Sequence, residues 1–283
     1  MNSEPSPWKA AAIFVPVGQP EDGVRTLPVV RSLARLAGVP VHFLHVTPGE
    51  VSLEEARRRL ALTAEMLAGA MLEVAVGDPG EQILRAAEAR EGTLLVVSLR
   101  DPGGPGPVVQ RLLGGSRVPL ILVPRRQSWE GWALRKVLLP LDGAPASAAG
   151  LCPVIELAAA ARAAVEFLHV SGGPVPERRE AGAMVAPRYV DRPQHEWPQW
   201  AGEFMERLHC LCRLPETLPT RFHMTTGDVA EAIVRRAAEE GVDLIGLSWS
   251  GSLAGGRAAT FREVIRKAPC PLAVVRCAGF GSP

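Results

Sequence analysis

The amino-acid sequence predicts two consecutive α/β domains, each built around a parallel sheet with helices on both faces. The string VHFLHV at residues 41–46 returns as VEFLHV at residues 165–170, 124 positions later. Similarity within one chain at so long an offset indicates a duplicated domain. In both copies, apolar runs of strand length alternate with segments of helical spacing, which is the pattern of a parallel sheet connected by helices.

The duplication extends well beyond these two strings. Four further segments occur in the same order in both copies: 13–17 with 137–141, 77–78 with 227–228, 93–98 with 243–248, and 118–123 with 270–275. The offset grows from 124 to 150 between the second and third strands, so the second copy carries 26 extra residues there. We therefore predict a first domain at 1–125, a linker at 126–134, and a second domain at 135–283 with an insert at about 171–196.

The first copy contains five predicted strands and four predicted helices. The continuous apolar run at 10–17 is typical of a strand buried on both faces. A helix at 24–36 ends before Gly38, and Ser52 with Glu55 opens a second helix, to about residue 70, with capping-box chemistry. The remaining predicted strands are 41–46, 72–76, 94–99 and 120–123, and the remaining helices are 81–89 and 108–113.

The second copy repeats this order. Its predicted strands are 137–141, 165–170, 221–225, 244–247 and 272–275, and its predicted helices are 146–161, 197–211, 230–239 and 261–266. The linker contains Trp129 and Trp132. We expect these two tryptophans to anchor the linker across a domain surface.

Composition favours a soluble protein without a nucleic-acid or membrane partner. The 283 residues include 47% hydrophobic residues, enough for two cores. With 31 basic and 30 acidic residues and only 5% aromatics, nothing indicates a basic face or a base-stacking surface. Neither a membrane-spanning run nor a leader is evident, which predicts a cytoplasmic protein. The five cysteines are expected to be reduced, mostly buried thiols.

Four motifs give the chain a family resemblance: LLPLDG at 138–143, FLHV at 167–170, the Gly227-Asp228 turn, and above all IRKAPCPLAVVR at 265–276. Over nearly its whole length the chain resembles two tandem copies of the universal stress protein family. The resemblance implies two Rossmann-like (adenine nucleotide alpha hydrolase-like) domains, each with a five-stranded parallel sheet of order 3-2-1-4-5. It also implies a role in stress response or signalling. Members of the family often pair through the last strand. A tandem chain can build that pair within one polypeptide, and a further homodimer stays open.

In folds of this kind ligands lie beyond the carboxyl ends of the strands, where the strand order reverses. Nucleotide-binding members of the family carry an acidic residue after the first strand, which contacts adenine. After the fourth strand they carry Gly-x2-Gly-x9-Gly-[Ser/Thr], which holds ribose and phosphates. Glycines let the backbone approach phosphate, and the following helix N-terminus favours negative charge.

The second copy keeps part of this pattern. Asp142 occupies the acidic position, Ser248 and Gly251 align with the first two glycines, and Ala259 falls in the closing pair. The resemblance therefore implies weak binding of ATP or another adenine nucleotide, with no metal beyond the Mg²⁺ that accompanies it. The candidate nucleotide-binding residues are Pro140, Leu141, Asp142, Val170, Ser248, Ser250, Gly251 and Ala259.

The first copy departs further from the pattern. Gly18 replaces the acidic residue, Asp101 would place a carboxylate where phosphate should lie, and Pro107 removes an N–H donor. In the second copy, Trp249 is expected to fill space that a nucleotide would occupy. These departures leave open the alternative of an interaction module with closed pockets that binds no nucleotide.

No catalytic residue is predicted. The sequence has no Walker lysine motif, nucleophile elbow or paired-carboxylate signature. An α/β enzyme remains a third class, which would require a cofactor or turnover that nothing in the sequence predicts.

Three other features have plainer interpretations that we favour over ligand binding. His209 and Cys212 are expected to lie on a helix and face the protein core rather than bind metal. His45 and His169 are expected to form hydrogen bonds at strand ends rather than to act as acid or base. Arg178, Arg179 and Arg188 in the insert are a hypothesis for anion contact, although a solvated loop is favoured.

Overall fold

The described residues form a ten-stranded sheet of order β3-β2-β1-β4-β5-β10-β9-β6-β7-β8. The structure is a computed structural model, and it describes residues 10–100, 104–125, 128–171, 202–203, 205–209, 212, 214–250 and 256–277. Each half of the sheet has the order 3-2-1-4-5, and neighbouring strands within each half are parallel. The predicted fold class, including this strand order, is confirmed.

The first half contains β1 to β5 and four helices. Its strands are β1 (Ala12–Pro16), β2 (Val41–Thr47), β3 (Ala70–Val76), β4 (Thr93–Leu99) and β5 (Leu120–Pro124). Its helices are α1 (Pro20–Ala37), α2 (Leu53–Arg59), α3 (Pro79–Glu88) and α4 (Pro107–Gly115). Right-handed crossovers place α1 and α2 on one face of the sheet and α3 and α4 on the other.

The second half repeats the arrangement. Its strands are β6 (Lys136–Leu141), β7 (Ala164–Ser171), β8 (Thr220–Thr226), β9 (Leu244–Trp249) and β10 (Leu272–Arg276). Its helices include α5 (Pro145–Ala161), α6 (Val229–Glu239) and α7 (Gly256–Lys267). The helix predicted at 197–211 lies partly outside the described residues, and its described positions between 202 and 209 are helical. The predicted insert, with Arg178, Arg179 and Arg188, lies almost wholly outside them.

One predicted helix is much shorter than expected. The helix that opens at Ser52 ends at Arg59, although its sequence predicts a helix to about residue 70. Leu60 and Leu62 are both buried, and residues two apart on a helix point in nearly opposite directions. Ala61 between them takes a left-handed conformation with φ of 48°, which lets both leucines reach the core.

The two halves are joined edge to edge. Strand β10 pairs with β5 in antiparallel orientation, with Leu272 opposite Leu122 and Val274 opposite Leu120. Arg276 donates from Nη1 to the Gly114 carbonyl oxygen at 3.2 Å, which ties the end of β10 to α4. The last strands of the two copies therefore pair within one polypeptide.

The two linker tryptophans are anchored as predicted. Trp129 is buried, and its Nε1 donates to the Pro124 carbonyl oxygen at 2.9 Å. Trp132 donates from Nε1 to the Asp243 carbonyl oxygen at 3.1 Å, next to the start of β9. The connection between the halves is thus attached to both.

Candidate functional site

The carboxyl ends of β6 and β9 form the candidate ligand-binding edge of the second half, called the candidate edge below. Asp142 follows β6 directly and is exposed. Its Oδ1 accepts from the Ala144 backbone N–H at 3.0 Å, and its Oδ2 accepts from the Ser147 hydroxyl at 3.2 Å. A carboxylate at a helix N-terminus is favoured by the helix dipole, so Asp142 is oriented by the first turn of α5.

Helix α5 packs closely against β9 next to this edge. A Cβ atom at Gly150 would lie 3.3 Å from the Ser248 Cβ and 3.2 Å from the Cys277 Sγ. Glycine at this position lets the helix approach the strand. Because side chains alternate along a strand, Ser248 faces α5 and Trp249 faces the opposite side of the sheet.

Most of the predicted nucleotide-binding residues lie along this edge. Four of them, at the ends of β6 and β7, are Pro140, Leu141, Asp142 and Val170, and two, at the end of β9, are Ser248 and Ser250. Ala259 is exposed in the first turn of α7, the helix that follows β9. Gly251 lies outside the described residues. The assignment of these residues to a nucleotide remains a prediction.

His169 is fixed at the same edge. Its Nδ1 lies 2.9 Å from the Leu141 carbonyl oxygen, and His45 in the first copy makes the same contact with Val17 at 2.8 Å. Both histidines are therefore hydrogen-bonded at strand ends, as expected. Burial lowers the pKa of His169, while the hydrogen bond to Leu141 and the charge of Asp142 act in the opposite direction.

The coupling between Asp142 and His169 yields a prediction. Replacing Asp142 by asparagine removes a nearby negative charge, so the pKa of His169 should fall further. Imidazole resonances followed by NMR over a pH titration would measure this, with Glu91→Gln, an exposed change before β4, as the matched control. A pKa of His169 that stays constant or rises in Asp142→Asn would contradict the assigned geometry.

The sign of the resulting pH dependence follows from the lowered pKa. Below an ordinary histidine pKa of about 6.5, the unfolded chain binds a proton that folded His169 does not. The contribution of His169 to stability is therefore present above that pH and declines as the pH falls toward its folded pKa.

The corresponding edge of the first half is occupied by its own side chains. The guanidinium of Arg100, just after β4, would clash with a Cβ atom at Gly18. Its Nε donates to Asp22 Oδ1 at 3.1 Å, and its Nη2 pairs with Asp22 Oδ2. Asp22 is buried, and its Oδ2 also accepts from the Gly18 and Gln19 backbone N–H groups at 3.1 and 3.0 Å.

An arginine thus takes the space that an acidic side chain would use in a nucleotide-binding copy. Sequence reasoning missed Arg100 and Asp22. The available signal was the position of Asp22 in the first turn of α1, where a carboxylate can cap the helix. The Arg100–Asp22 pair at this edge agrees with the loss of the acidic position at Gly18.

Trp249 does not lie where the sequence suggested. Its ring stacks on Phe261 of α7, with ring centroids 4.1 Å apart, and its Nε1 donates to the Leu113 carbonyl oxygen of α4 at 2.8 Å. The side chain is buried at the junction of the two halves. The expectation that it fills nucleotide space is wrong, because the alternation of β9 turns it to the other face of the sheet.

The cysteine expectation also requires correction. Cys152 of α5 and Cys212 form a disulfide, with Cα atoms 4.9 Å apart. Sixty residues separate them in the sequence, so no local pattern indicates the pairing. Cys270 is a buried thiol, and burial raises its pKa.

The His209 and Cys212 prediction is only half correct. Cys212 is buried, but His209 is exposed. Within the part of the chain that the structure describes, no group of three or more His, Cys, Asp or Glu residues could hold a metal ion. None of the described helices combines the length and the apolar character that a bilayer crossing requires.

The fold defines a class of protein: a duplicated, doubly wound α/β protein. In each half, the strand order reverses at the carboxyl ends of the strands, which is where proteins of this class bind ligands. The sequence model of the universal stress protein family matches residues 133–276, just over half of the 283-residue chain. The chain belongs to the universal stress protein family.

Solved structures extend the likeness of fold to both halves. A universal stress protein from Archaeoglobus fulgidus DSM 4304 has a TM-score of 0.67 at 19% identity, covering 95% of this chain and 98% of the other. A functionally unknown protein from Pseudomonas aeruginosa PAO1 has a TM-score of 0.65 at 12% identity, covering 95% of this chain and 93% of the other. A search of curated proteins found no match.

Proposed function

We propose that this chain is a tandem universal stress protein that acts in stress response or signalling and binds an adenine nucleotide weakly in its second half. The unequal construction of the two edges is the observation that carries this proposal. In the first half, Arg100 and Asp22 occupy the edge. In the second half, Asp142 presents an exposed carboxylate beside the N-terminus of α5.

The chemistry of Asp142 suits the amino group of adenine. The Asp142 carboxylate accepts from Ala144 and Ser147, and each oxygen of an ionised carboxylate can accept more than one hydrogen bond. Because those bonds hold the side chain in place, less side-chain entropy would be lost when a donor binds. The N-terminus of α7 follows β9 at the same edge and favours phosphate.

Weak binding follows from what replaces the family glycines. Ser248 stands where a glycine would let the backbone approach phosphate, so that approach is less close. The two serines, Ser248 and Ser250, can offer hydroxyl groups instead. We expect dissociation constants in the range of about 0.1–1 mM, which corresponds to roughly 4–5.5 kcal/mol of binding free energy.

Calorimetric titration with ATP, ADP and AMP tests this proposal. Asp142→Asn should weaken binding about tenfold, since a charge-assisted hydrogen bond becomes a neutral one. Glu91→Gln, an exposed change in the first half just before β4, should bind as the parent does. At ten times the dissociation constant, the ligand should add about 1.4 kcal/mol of stability, visible as a thermal shift of roughly 3 °C.

The second candidate is an interaction module that binds no nucleotide. The engagement of both Asp142 oxygens with α5 is the observation that favours it. Neither heat nor a thermal shift at millimolar ATP, ADP and AMP would select this module. Absorbance of bound adenine after gentle purification would select the nucleotide-binding form.

A further inference from the structure

The disulfide Cys152–Cys212 joins two segments that are far apart in the sequence. Cys152 is a partly buried residue in the middle of α5, and Cys212 belongs to the segment that returns to the domain after the insert. Leu208, one helical turn before Cys212, is also buried, so the segment uses one face to contact the domain. The bond fixes that face to α5.

The same helix carries the candidate edge. Ser147 of α5 donates to Asp142, and Gly150 packs against Ser248, so the disulfide at Cys152 is within about two turns of both contacts. The sulfur atoms of Cys152 and Cys212 lie 3.9 and 3.7 Å from the carbonyl oxygen of Ala148. Movement of this part of α5 therefore bears directly on Asp142 and Ser248.

We propose that Cys152–Cys212 is a redox-sensitive disulfide, here called the redox tie. A dithiol reductant opens it, and in its oxidised form it keeps the candidate site of the second half ordered. Its effect on nucleotide affinity rests on the proposed function, whereas the opening itself does not. The oxidised form keeps α5 and the returning segment together, and the reduced form lets them separate.

The reduction can be written through named atoms. A thiolate of the reductant attacks the Sγ of Cys152, because Cys152 is the less buried of the two residues. The Cys212 sulfur leaves as a thiolate and takes a proton from solvent. The second thiol of the reductant then displaces the Cys152 sulfur. Two protein thiols are formed, and the dithiol becomes a disulfide, with two electrons transferred.

Both oxidation states have a satisfactory environment, which suits a reversible bond. In the reduced form, either thiol can donate to the Ala148 carbonyl oxygen that both sulfur atoms already approach. Cys270, by contrast, is buried and its pKa is raised, so it should not compete in exchange.

The test compares the full-length chain after oxidation with oxidised glutathione and after reduction with dithiothreitol. Peptide mapping by mass spectrometry should find the Cys152–Cys212 cross-link only after oxidation. Amide hydrogen exchange at residues 144–152 and 205–209 should speed up by about tenfold or more on reduction and return on reoxidation. The melting temperature should fall by roughly 5–10 °C.

Two variants distinguish the effect of opening the disulfide from a general loss of stability. The double variant Cys152→Ser/Cys212→Ser should show the fast exchange in both redox states, and Cys270→Ala should respond to reduction as the parent does. Absence of the cross-link after oxidation, or equal exchange in the two states, would overturn the proposal.

A parallel AMP titration measures whether the disulfide changes the affinity for nucleotide. Affinity should be about threefold or more higher in the oxidised form, because the edge is preorganised. Equal AMP affinity in both forms would refute the coupling to the site. If AMP binds neither form, the proposed function fails, while the exchange measurement still decides whether the tie exists.

Discussion

Replacing Arg236 by methionine is expected to lower the free energy of unfolding by about 3 kcal/mol, because it leaves a buried carboxylate without its main partner. The Glu166 side chain is only 2% exposed, and its Oε1 lies 2.5 Å from Arg236 Nε. Its Oε2 has no hydrogen-bond partner among the described residues, and Lys136 Nζ is 3.9 Å away. The Glu166 carboxylate also raises the pKa of Arg236 above its already high ordinary value.

A double variant distinguishes this cause from loss of packing. Glu166→Leu combined with Arg236→Met removes both charges, so it should recover most of the stability that Arg236→Met loses. Arg235→Met is the matched control, because the Arg235 side chain is 52% exposed and its contact with Glu239 is 4.0 Å long. Urea unfolding followed by circular dichroism measures all variants. A double variant as unstable as Arg236→Met would show that the buried charge is not the cause.

Trp249→Ala is expected to cost about 3–5 kcal/mol and to loosen the junction between the halves. The substitution removes the ring that stacks on Phe261 and the Nε1 bond to Leu113 of the other half. Trp249→Phe keeps an aromatic ring and loses only the hydrogen bond, so it should cost about 1 kcal/mol plus the packing of a smaller ring.

Hydrogen exchange gives this prediction a local readout. In Trp249→Ala, protection should fall in α4 and β10, which meet at the junction, more than in β2 or β7. The unfolding free energy and the exchange map are measured on the same samples. Uniform loss of protection through both halves, or a cost below about 1 kcal/mol, would contradict the role of Trp249 as a contact between halves.

The sequence was sufficient for the architecture because the duplication and the buried strands repeat the same pattern. Residues 41–46 and 165–170 form the equivalent strands β2 and β7, and the end of the motif at 265–276 forms β10. Periodicity could not locate the end of α2, since the left-handed Ala61 is set by the burial of Leu60 and Leu62 in three dimensions.

The site was less predictable, because it depends on contacts between distant residues. Arg100 reaches Asp22 across 78 positions, and Cys152 meets Cys212 across 60. The direction of Trp249 depends on which face of β9 it occupies, and an apolar strand gives no period from which to read that face. The acidic position of Asp142 was readable from the motif, but its bonds to Ala144 and Ser147 were not.

Mapping AMP binding by amide NMR on the full-length chain tests most directly the claim that the two edges are unequal. We predict shift changes at residues 141–144, 170–171 and 248–250, approaching saturation at millimolar AMP. The equivalent positions 17–19, 46–47 and 98–100 should stay unchanged, since Arg100 and Asp22 occupy that edge. Comparable changes at both edges, or changes confined to the first half, would contradict the account.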